Sequence, residues 1–477
     1  MSPRFNRLSP GCIEIPVTED SRMHVPARVY ADEVLAVPLL SDRSLEQLMN
    51  VAMLPHIIGA ALGMPDIHQG YGFPIGGVAA FSMEEGGLIS PGGVGYDINC
   101  GVRLLTGSSC ADIPRDSLER IISRLAVSCP RGGGKGAIKS FCEKSFRRLL
   151  SLGAEAAVEE GFGTVEDLGH CEDGGRLPAG EEAVSLRAME RGRAEAGSLG
   201  GGNHFLEMGR ISALYDEETA RAWGLFPGQI TLMIHCGSRG LGHQVCSEYV
   251  RLFQQAKGPC PDRELAWASA ESPQGKRYIA AMNAAANFAY ANRHILGAVL
   301  SQILSETLWK EIRLDCDFRL LYDITHNMAR EEVHTVSGRE LSCMVHRKGA
   351  TRAFPASRMK GTPFEKTGHP VFIPGSMGSS SYILRGTEKA LGEAFGSSCH
   401  GAGRVLSRRE AVRRVDPLTL VARLAREGII VKGSDSRGLA EEAPQAYKDV
   451  SRVTALLEQE RLAVIVARLE PLGVVKG

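Results

Sequence analysis

The chain lacks long hydrophobic runs: none of its 477 residues lies in an apolar stretch of the ~20 residues that a transmembrane helix needs. The first seven residues contain no apolar segment of the kind found in signal peptides. Paired cysteines are missing too, because the 12 cysteines form no CxxC motif and are typical of reduced thiols. We therefore expect a cytoplasmic protein with no membrane partner.

Net charge is absent as well, since Lys and Arg together number 55 and Asp and Glu also number 55. A polyanionic partner would therefore depend on local basic clusters, because phosphate contacts dominate the affinity for nucleic acids. Basic residues concentrate in 345–352, followed by Arg358, Lys360, Arg408 and Arg409. Such a run is usually a solvated face, but beside a phosphate-handling site it indicates a polynucleotide track.

Low-complexity linkers, charge blocks and internal repeats are also missing. With 43% hydrophobic and 23% charged residues, the composition is that of an ordinary globular protein. The motifs that carry chemistry are spread from residue 64 to the end of the sequence. One site built from loops across the whole chain is more economical than several separate domains, so we expect a single α+β domain over residues 1–477.

Hydrophobic patterning predicts the main secondary structure elements. Residues 1–105 contain β-branched runs between glycines and prolines, which indicates short strands and tight loops. Further strands are predicted at 230–234, at 318–324 and before Lys476. Helices are predicted in most of 115–197, in the alanine-rich segment 277–313 as one or two helices, and as amphipathic helices at 409–428 and 439–461.

Asp97 and Cys100 stand in a glycine-rich segment, where a carboxylate and a thiol three residues apart are typical of two metal ligands on a tight loop. His204, His235 and His326 each follow a strand-like run or a glycine turn, and loops on a rigid scaffold usually carry function. One such histidine alone is more often a core residue, but the three together favour metal binding. Mixed oxygen, sulfur and nitrogen ligands suit Mn, Co or Zn better than Mg or Ca. An enzyme is therefore the leading interpretation.

Two further stretches carry residues suited to acid–base or phosphate chemistry. In the segment 64–77, Asp66 and His68 are candidate ligands or acid–base groups, with a turn Asp and a core His as the alternative. His400 lies in a loop of small residues, whose glycine N–H groups could approach a phosphate while Arg404 neutralises it. A neutral imidazole beside a phosphoryl centre acts as a base or as a nucleophile.

At these motifs the sequence resembles the RtcB family of RNA ligases, which join RNA 3′-phosphate or 2′,3′-cyclic phosphate ends to 5′-hydroxyl ends. The resemblance runs from residues 25–30 to Lys476, with a departure in the basic glycine loop at 130–135. It implies central β-sheets surrounded by helices and a role in tRNA splicing, RNA repair or both. It also implies two Mn²⁺ ions per active site and GTP as co-substrate, and leaves open an archease-type activator.

The resemblance further implies roles for individual residues. Its two-manganese site falls on Asp97, Cys100, His204, His235 and His326, with the thiolate bridging both ions. Its covalent guanylyl-histidine falls on His400, and Asp66 matches an acidic residue implicated in the chemistry. The guanine-nucleotide contacts fall on Asn203, His204, Phe205, Leu206, Glu207, His326, Asn327, Pro374, Gly375, Ser376, Met377, Ser381, His400, Gly401, Ala402, Gly403, Tyr447 and Lys476.

The implied reaction has three steps after any cyclic phosphate has been opened by hydrolysis. His400 attacks the α-phosphate of GTP while the metals and Arg404 offset charge, GMP then passes to the RNA 3′-phosphate, and the 5′-hydroxyl finally displaces GMP. Two alternatives remain open from the residues alone. A metal-dependent phosphoesterase would need the same ligands without the nucleotide step, and a non-catalytic RNA-binding protein would tolerate the loss of Cys100.

Overall fold

The computed structural model of the protein describes residues 4–132, 137–255, 260–433 and 435–477. Residues 133–135 of the predicted glycine loop at 130–135 therefore lie outside the described residues. The described strands are β1 (Asn6–Ser9), β2 (Cys12–Ile15), β3 (Ala27–Tyr30), β4 (Ile57–Tyr71), β5 (Phe73–Ser82), β6 (Gly101–Cys110), β7 (Phe205–Leu214), β8 (Gln229–Cys236), β9 (Phe318–Thr325), β10 (Asn327–Val336), β11 (Arg339–Lys348), β12 (Ala350–Arg352), β13 (Pro370–Ile373), β14 (Ser381–Gly386), β15 (Ser397–Cys399), β16 (Ile430–Lys432) and β17 (Ala463–Lys476).

Helices pack around these strands, as the predicted α+β class requires. They are α1 (Glu33–Ala36), α2 (Ser44–Ala52), α3 (Pro91–Val94), α4 (Arg115–Ser128), α5 (Glu143–Leu152), α6 (Ala154–Glu159), α7 (Leu186–Arg193), α8 (Glu217–Ala222), α9 (Arg239–Gln254), α10 (Pro273–Ile312), α11 (Glu388–Glu393), α12 (Arg408–Arg414), α13 (Pro417–Arg426), α14 (Ser436–Glu441) and α15 (Val450–Gln459). None of the helices in the described residues has the length and apolar composition needed to cross a membrane.

The strands form two large sheets and one small one. The first large sheet has the order β1-β2-β3-β4-β5-β11-β10, and β12 pairs with β15 in the small sheet. The second large sheet has the order β13-β14-β17-β7-β8-β6-β9, with β16 added beside β17. The pairs β3–β4 and β16–β17 are parallel, whereas the other pairs between these strands are antiparallel.

The register of the second large sheet brings four chain segments to one edge. Gly101, at the start of β6, pairs with Cys236 at the end of β8 and with Thr325 at the end of β9. Phe205, at the start of β7, pairs with His235 of β8. Because antiparallel neighbours place the start of one strand beside the end of the next, residues next to these strand ends must lie close together.

Helix α10 forms the long buried support beneath this sheet. The prediction for 277–313 is confirmed, and the segment is one helix rather than two. It begins where the Ser272 side chain accepts a hydrogen bond from the Gly275 N–H and Pro273 takes the first helical position. The middle of the helix, from Ala281 to Gly297, is rich in small residues and is buried on nearly all sides, so the helix lies in the core.

Two sequence predictions about element boundaries were wrong near the C-terminus. The segment 409–428 is not one helix, because Pro417 starts a new helix that Asp416 caps by accepting a hydrogen bond from Thr419 N–H. The segment 439–461 is likewise divided into α14 and α15, with Pro444 between them. In both places the amphipathic pattern continues across a residue that cannot continue the helix.

The first 105 residues also differ from the prediction of short strands and loops alone. Strand β4 has 15 residues, and its pairing with β5 is interrupted at three register shifts. Helix α2 packs its Leu48 and Val51 side chains into the core. Asp66 lies in the register shift between Gly63 and His68, whereas His68 pairs with Ile75 of β5. The strands predicted at 230–234, at 318–324 and before Lys476 are confirmed.

Candidate active site

Five predicted ligand residues meet at the sheet edge where β6, β7, β8 and β9 begin or end. Their ligand atoms form two groups, and within each group all the atoms lie within 4.8 Å of one another. One group is Asp97, Cys100 and His204, and the other is Cys100, His235 and His326. Cys100 belongs to both groups, as a bridging thiolate would. We call these five residues the metal cluster.

The side chains of the metal cluster converge at short distances. The Cys100 Sγ lies 3.4 Å from His204 Nε2 and 3.3 Å from His235 Nε2. The Nε2 atoms of His235 and His326 are 3.3 Å apart, and His204 Nε2 lies 2.8 Å from an Asp97 carboxylate oxygen. Three donor types thus face one small volume, and mixed O, N and S donors of this kind fit a borderline transition metal.

Neighbouring backbone groups orient the ligands of the metal cluster. The Nδ1 atom of His204 lies 3.0 Å from the Leu199 carbonyl oxygen; when it donates there, Nε2 keeps its lone pair for a metal. Asp97 accepts hydrogen bonds from the Ser238 N–H and hydroxyl at 2.9 and 3.2 Å. Gly237 is required beside this carboxylate, because an added Cβ would lie 2.3 Å from an Asp97 oxygen.

Burial sets the protonation of the metal cluster. Burial and the Asp97 charge together raise the pKa of the Cys100 thiol to about 12, although His204 opposes the shift. Burial and neighbouring histidines lower the pKa values of His235 and His326 well below the usual range, so both rings are neutral. A thiolate is a metal ligand and a thiol is not, so metal binding here must release the Cys100 proton.

His400 and Asp66 form a hydrogen-bonded pair beside the metal cluster. The His400 Nδ1–H donates to an Asp66 carboxylate oxygen at 2.7 Å, and the His400 backbone N–H reaches the same oxygen at 3.2 Å. Asp66 is fully buried; burial alone would raise its pKa, but the hydrogen bond and charge of His400 outweigh that effect and lower it. The His400 ring contacts the His326 ring, with 4.7 Å between centroids. Nε2 is therefore the His400 nitrogen left for chemistry.

A large cavity of about 870 Å³ opens next to this pair. Predicted site residues make up much of its lining, namely Asn203, Phe205, Glu207, His235, Pro374, Gly375, Ser376, Met377, His400, Gly401, Ala402, Gly403, Arg404, Tyr447 and Lys476. Gly403 has φ +77°, and a Cβ there would lie 2.1 Å from the Asp66 carbonyl oxygen. A glycine is therefore needed for the His400 loop to close over Asp66.

Glu207 and Lys476 place a carboxyl and an amino group in the inner wall of the cavity. Burial raises the pKa of Glu207 to about 8, although the Ser381 hydroxyl and the Lys476 charge oppose this shift. The Ser381 hydroxyl donates to Glu207 at 3.4 Å. Burial lowers the pKa of Lys476, whose Nζ donates to the Asn203 carbonyl at 3.3 Å and lies over the Phe205 ring. These groups can recognise a ligand with hydrogen-bonding edges.

Arg404 is held in the cavity wall by neighbours from the 441–447 segment. Its guanidinium donates to the Glu441 carbonyl at 2.7 Å, to Glu442 at 3.2 Å and to the Tyr447 hydroxyl at 3.0 Å. Tyr447 also donates to Glu442. The arginine therefore supports the wall and the Tyr447 ring, and its charge is largely balanced by the buried Glu442.

Five predicted nucleotide contacts do not line the cavity, and one of them, His204, belongs to the metal cluster. The side chain of Leu206 packs in a hydrophobic core, Ser381 lies behind Glu207, and His326 belongs to the metal cluster. Asn327 donates to the Asp97 carbonyl at 3.0 Å and accepts from Gly349 N–H at 2.8 Å. Both ends of its amide are therefore used to hold the metal-bearing loop.

Sequence reasoning missed several residues of the cavity. Glu442 is buried against Arg404 and Tyr447, while Asp42 and Arg414 line the wall. The only signal for Arg414 was its helix, which carries four arginines in seven residues. Neither Asp42 nor Glu442 lies in a motif, so their position follows only from the fold.

The basic segment at 345–352 is not an exposed track. Arg347 is buried and paired with Glu332 at 2.7 Å. Lys348 is buried and donates to the carbonyl oxygens of Tyr71, Phe73 and Gly92 at 2.7, 2.9 and 3.0 Å. The polynucleotide track predicted from this segment is therefore wrong, because these charges satisfy internal partners.

Exposed cations instead gather on α12 at the mouth of the cavity. Its exposed arginines are Arg408, Arg409, Arg413 and Arg414. Arg408 and Arg414 line the cavity itself.

Comparison with known proteins identifies the family of the chain. The family model described as tRNA-splicing ligase RtcB matches residues 47–477. The tRNA-splicing ligase RtcB of Thermococcus kodakarensis is 47% identical over 465 residues, with 96% of each chain covered. The protein of the same name from Archaeoglobus fulgidus is 44% identical, with 97% of each covered. The RNA-splicing ligase RtcB of Mycobacterium bovis is 46% identical, with 90% of this chain and 100% of its own covered.

The mixed fold carries a buried cluster of O, N and S donors that could hold a metal ion, beside a histidine-bearing cavity, and this is the arrangement of an enzyme site. The extent of these matches is decisive for the family. The chain belongs to the RtcB family.

Proposed function

We propose that the protein is a GTP-dependent RNA ligase, which joins RNA 3′-phosphate or 2′,3′-cyclic phosphate ends to 5′-hydroxyl ends in tRNA splicing, RNA repair or both. The observation that carries the proposal is the position of His400. Its Nδ1 is held by the buried Asp66 at 2.7 Å, its ring contacts the His326 ring of the metal cluster, and the residue lines the large cavity. A phosphoesterase would need the metal cluster but not this oriented nucleophile.

Two Mn²⁺ ions are the metals we assign to the metal cluster. The donor set fits them, because Cys100 is shared by two ligand groups and each group adds nitrogen or oxygen donors. When bound, they supply Lewis-acid stabilisation of negative charge on phosphoryl oxygens.

His400 acts as the nucleophile through Nε2 in the proposed first step. Nε2 forms a bond to the α-phosphorus of GTP, the bond from that phosphorus to the bridging oxygen breaks, and pyrophosphate leaves. The attack places positive charge on the ring, and the ionised Asp66 that accepts the Nδ1–H stabilises it. Asp66 is therefore a positioning residue for the nucleophile, acting through His400.

The later steps transfer GMP and then release it. An oxygen of the RNA 3′-phosphate attacks the phosphorus bound to His400, and the N–P bond breaks to give an RNA end activated by GMP. The 5′-hydroxyl oxygen of the second RNA end then bonds to the phosphorus of the RNA 3′-phosphate and loses its proton to water, while the bond from that phosphorus to the GMP oxygen breaks and GMP leaves. The ring of His400, still held by Asp66, is ready for another cycle.

Glu207 offers a physical basis for the choice of guanine. Guanine presents two adjacent donors, N1–H and the 2-amino group, whereas adenine presents an acceptor at N1. An ionised carboxylate accepts both donors, and the buried position of Glu207 in the cavity wall strengthens such a contact. Lys476 and Tyr447, on the same cavity, are the partners we assign to the rest of the nucleotide.

The exposed arginines of α12 support binding of the RNA backbone. Their side chains stand at the mouth of the cavity, and phosphate contacts of this type weaken steeply as salt is added. An archease-type activator remains a prediction, tested by adding one to multiple-turnover assays. Cytoplasmic location also remains a prediction.

The test of the proposal is incubation with α-labelled GTP and Mn²⁺, followed by a denaturing gel. We expect a label on the protein that acid removes and alkali does not, as a phosphoramidate requires. His400→Ala should abolish it. His56→Ala, which changes a histidine remote from the cavity and paired with Glu85, is the matched control and should label normally.

The same preparations should be given RNA with 3′-phosphate and 5′-hydroxyl ends. Joined RNA from the wild type and the His56→Ala control, but not from His400→Ala, is the expected result. Folded, metal-loaded wild type that never carries the label would refute the nucleotide step and favour the phosphoesterase interpretation.

A further inference from the structure

Three aromatic side chains form a continuous stack that has no part in the proposed reaction. The Tyr96 ring lies 4.9 Å from the His243 ring, centroid to centroid, with 30° between their planes. The Tyr71 ring meets the Tyr96 ring edge-on at 5.3 Å and 68°. We call Tyr71, Tyr96 and His243 the aromatic stack.

The outer end of the aromatic stack is open to solvent. His243 is exposed, whereas Tyr71 and Tyr96 are half-buried. Tyr96 covers one face of the His243 ring, so a planar group could stack on the opposite face. Burial and the charge of Arg191 lower the pKa of His243, although Asp97 opposes them, so the ring is neutral near pH 7.

Each residue of the aromatic stack lies close along the chain to residues of the active site. Tyr96 directly precedes Asp97 of the metal cluster. Tyr71 directly follows Gly70, which lines the large cavity. His243 lies on the first turns of α9, close behind the strand that ends with His235 and Cys236. A polymer end held on the stack would therefore lie next to the metal cluster.

The charge beside the stack suits a phosphate backbone. Arg191 is exposed and close enough to His243 to shift its pKa. Its guanidinium donates to the Gln244 side chain at 2.9 Å, and the described residues give it no carboxylate partner within salt-bridge distance. An open aromatic face beside an arginine is the combination that single-stranded nucleic acids use, with bases on the rings and phosphates on the cation.

We propose that the aromatic stack binds a nucleobase of an RNA end, by stacking on the open face of His243, and so positions that end at the metal cluster. This inference rests on the proposed function, because it assigns a subsite for the RNA of the same reaction. Stacking accepts any base, since every base has a π-face. The subsite would thus hold ends without regard to sequence.

The alternative is that the stack only packs the loop that carries Asp97. The two interpretations differ in what the RNA must contain. If His243 stacks on a base, then an RNA whose terminal nucleotide lacks its base should bind poorly to the wild type and should not lose further affinity in a variant without the ring. If the stack is only packing, then the missing base and the missing ring should act independently.

The experiment measures KM and kcat for ligation with intact RNA and with RNA abasic at the 3′-phosphate terminus or at the 5′-hydroxyl terminus. For His243→Ala we expect KM for intact RNA to rise about 10- to 100-fold, the range that base–aromatic stacking supports. One of the two abasic substrates should raise the KM of the wild type by a similar factor, and it should cause no further rise in the KM of His243→Ala. The substrate that behaves in this way identifies the RNA end that the stack binds. His243→Phe should restore most of the affinity, because it keeps a planar ring.

Guanylylation of His400 is measured in the same variants without RNA. Tyr215→Ala, which removes an exposed aromatic side chain outside both the stack and the cavity, is the control and should match the wild type in every assay. The stacking proposal would be overturned if the abasic end raised KM by the same factor in the wild type and in His243→Ala. It would also be overturned if His243→Phe did not restore the affinity for intact RNA. Absence of guanylylation in the wild type would instead overturn the proposed function.

Discussion

At the scale of the residue, Cys100 has the most demanding position in the site. It is the one ligand that both groups of the metal cluster share, and it reaches that position because it immediately precedes β6, next to the ends of β8 and β9. Its buried thiol must lose a proton before it binds. The number of metals bound should therefore depend on Cys100 more than on any histidine.

Replacing one ligand at a time should show which ligands the binding of each ion depends on. We expect Cys100→Ala to reduce bound Mn²⁺ to less than one ion per chain, because both ligand groups lose a member. His326→Ala should retain about one ion, since the group of Asp97, Cys100 and His204 stays intact. Metal content after dialysis against Mn²⁺, measured by mass spectrometry, gives both values.

Cys316→Ala is the matched control for this series. Cys316 is also a buried free thiol, but it packs in the core outside the metal cluster. It should bind the same amount of Mn²⁺ as the wild type. Equal stoichiometry in Cys100→Ala and His326→Ala would contradict a shared ligand.

Glu207 should make nucleotide binding depend on pH. Burial raises the pKa of Glu207 to about 8, so the carboxyl is protonated below pH 8. Only as the pH rises through that value does it become the ionised carboxylate that can accept both guanine donors. The affinity for GMP should therefore rise about 10- to 30-fold between roughly pH 6.5 and 8.5, by proton linkage. Isothermal titration calorimetry without metal measures it.

Glu207→Gln removes the titrating group at almost constant size. This variant should bind GMP more weakly at pH 8.5, by about 10- to 100-fold, because hydrogen bonds to a charged group contribute about 1.5–3 kcal/mol. Its affinity should also lose the pH dependence. A Gln variant whose affinity still rises with pH would assign the effect to another group.

At the scale of the element, helix α10 fixes the geometry of the metal cluster from behind. Arg293, in its buried middle, donates to the Asn99 carbonyl at 2.7 Å and to the Cys236 carbonyl at 2.9 Å. It also pairs with the fully buried Asp323 of β9 at 2.9 Å. One side chain thus ties together the segments that carry Cys100, His235 and His326.

Removing this arginine should destabilise the protein strongly. We expect Arg293→Met to lower the free energy of unfolding by about 3–5 kcal/mol, because a buried ion pair loses one partner. Asp323 keeps only Arg103, at 3.2 Å, and two backbone carbonyls lose their donor. Urea denaturation of the metal-free protein measures the effect.

Lys310→Met, at the exposed end of the same helix, is the comparison. It should change stability by no more than about 0.5 kcal/mol, as surface substitutions usually do. An Arg293→Met variant as stable as the Lys310 variant would show that the carbonyl contacts do not hold the fold.

At the scale of the whole molecule, the metal cluster joins segments separated by more than two hundred residues. Asp97 and His326 come from distant parts of the chain, and His400 follows a strand of the small sheet. The entropy lost in bringing these distant segments together is offset by the interactions of the whole fold. We therefore propose that the chain unfolds as one unit, in agreement with the single domain expected from the sequence.

Metal should stabilise this unit as a whole. For each ion at a free concentration 100-fold above its Kd, the gain is about 2.7 kcal/mol, so the melting temperature should rise with added Mn²⁺ in one transition. Differential scanning calorimetry measures it. Two separate transitions would contradict the single unit, and a Mn²⁺-dependent rise of equal size in Cys100→Ala would contradict metal binding at this cluster.

Much of the site could be predicted from local sequence because its residues stand in short motifs at strand ends. The structure brings Asp97, Cys100, His204, His235 and His326 together as the ligand types suggested. It could not be predicted that Asn327 holds the metal-bearing loop, because both its partners lie elsewhere in the chain. The buried Glu442 was missed for the same reason.

The sequence by itself determined the family, the α+β class, the kinds of donor available and the long helix α10, because these depend on residue type and on spacing along the chain. Only the tertiary structure decided which charges are exposed and which nitrogen of His400 is free. Arg347 and Lys348 look like a basic surface in sequence, yet they are buried on carboxylate and carbonyl partners. Burial and long-range hydrogen bonding depend on distances between residues far apart in the chain, which no local pattern encodes.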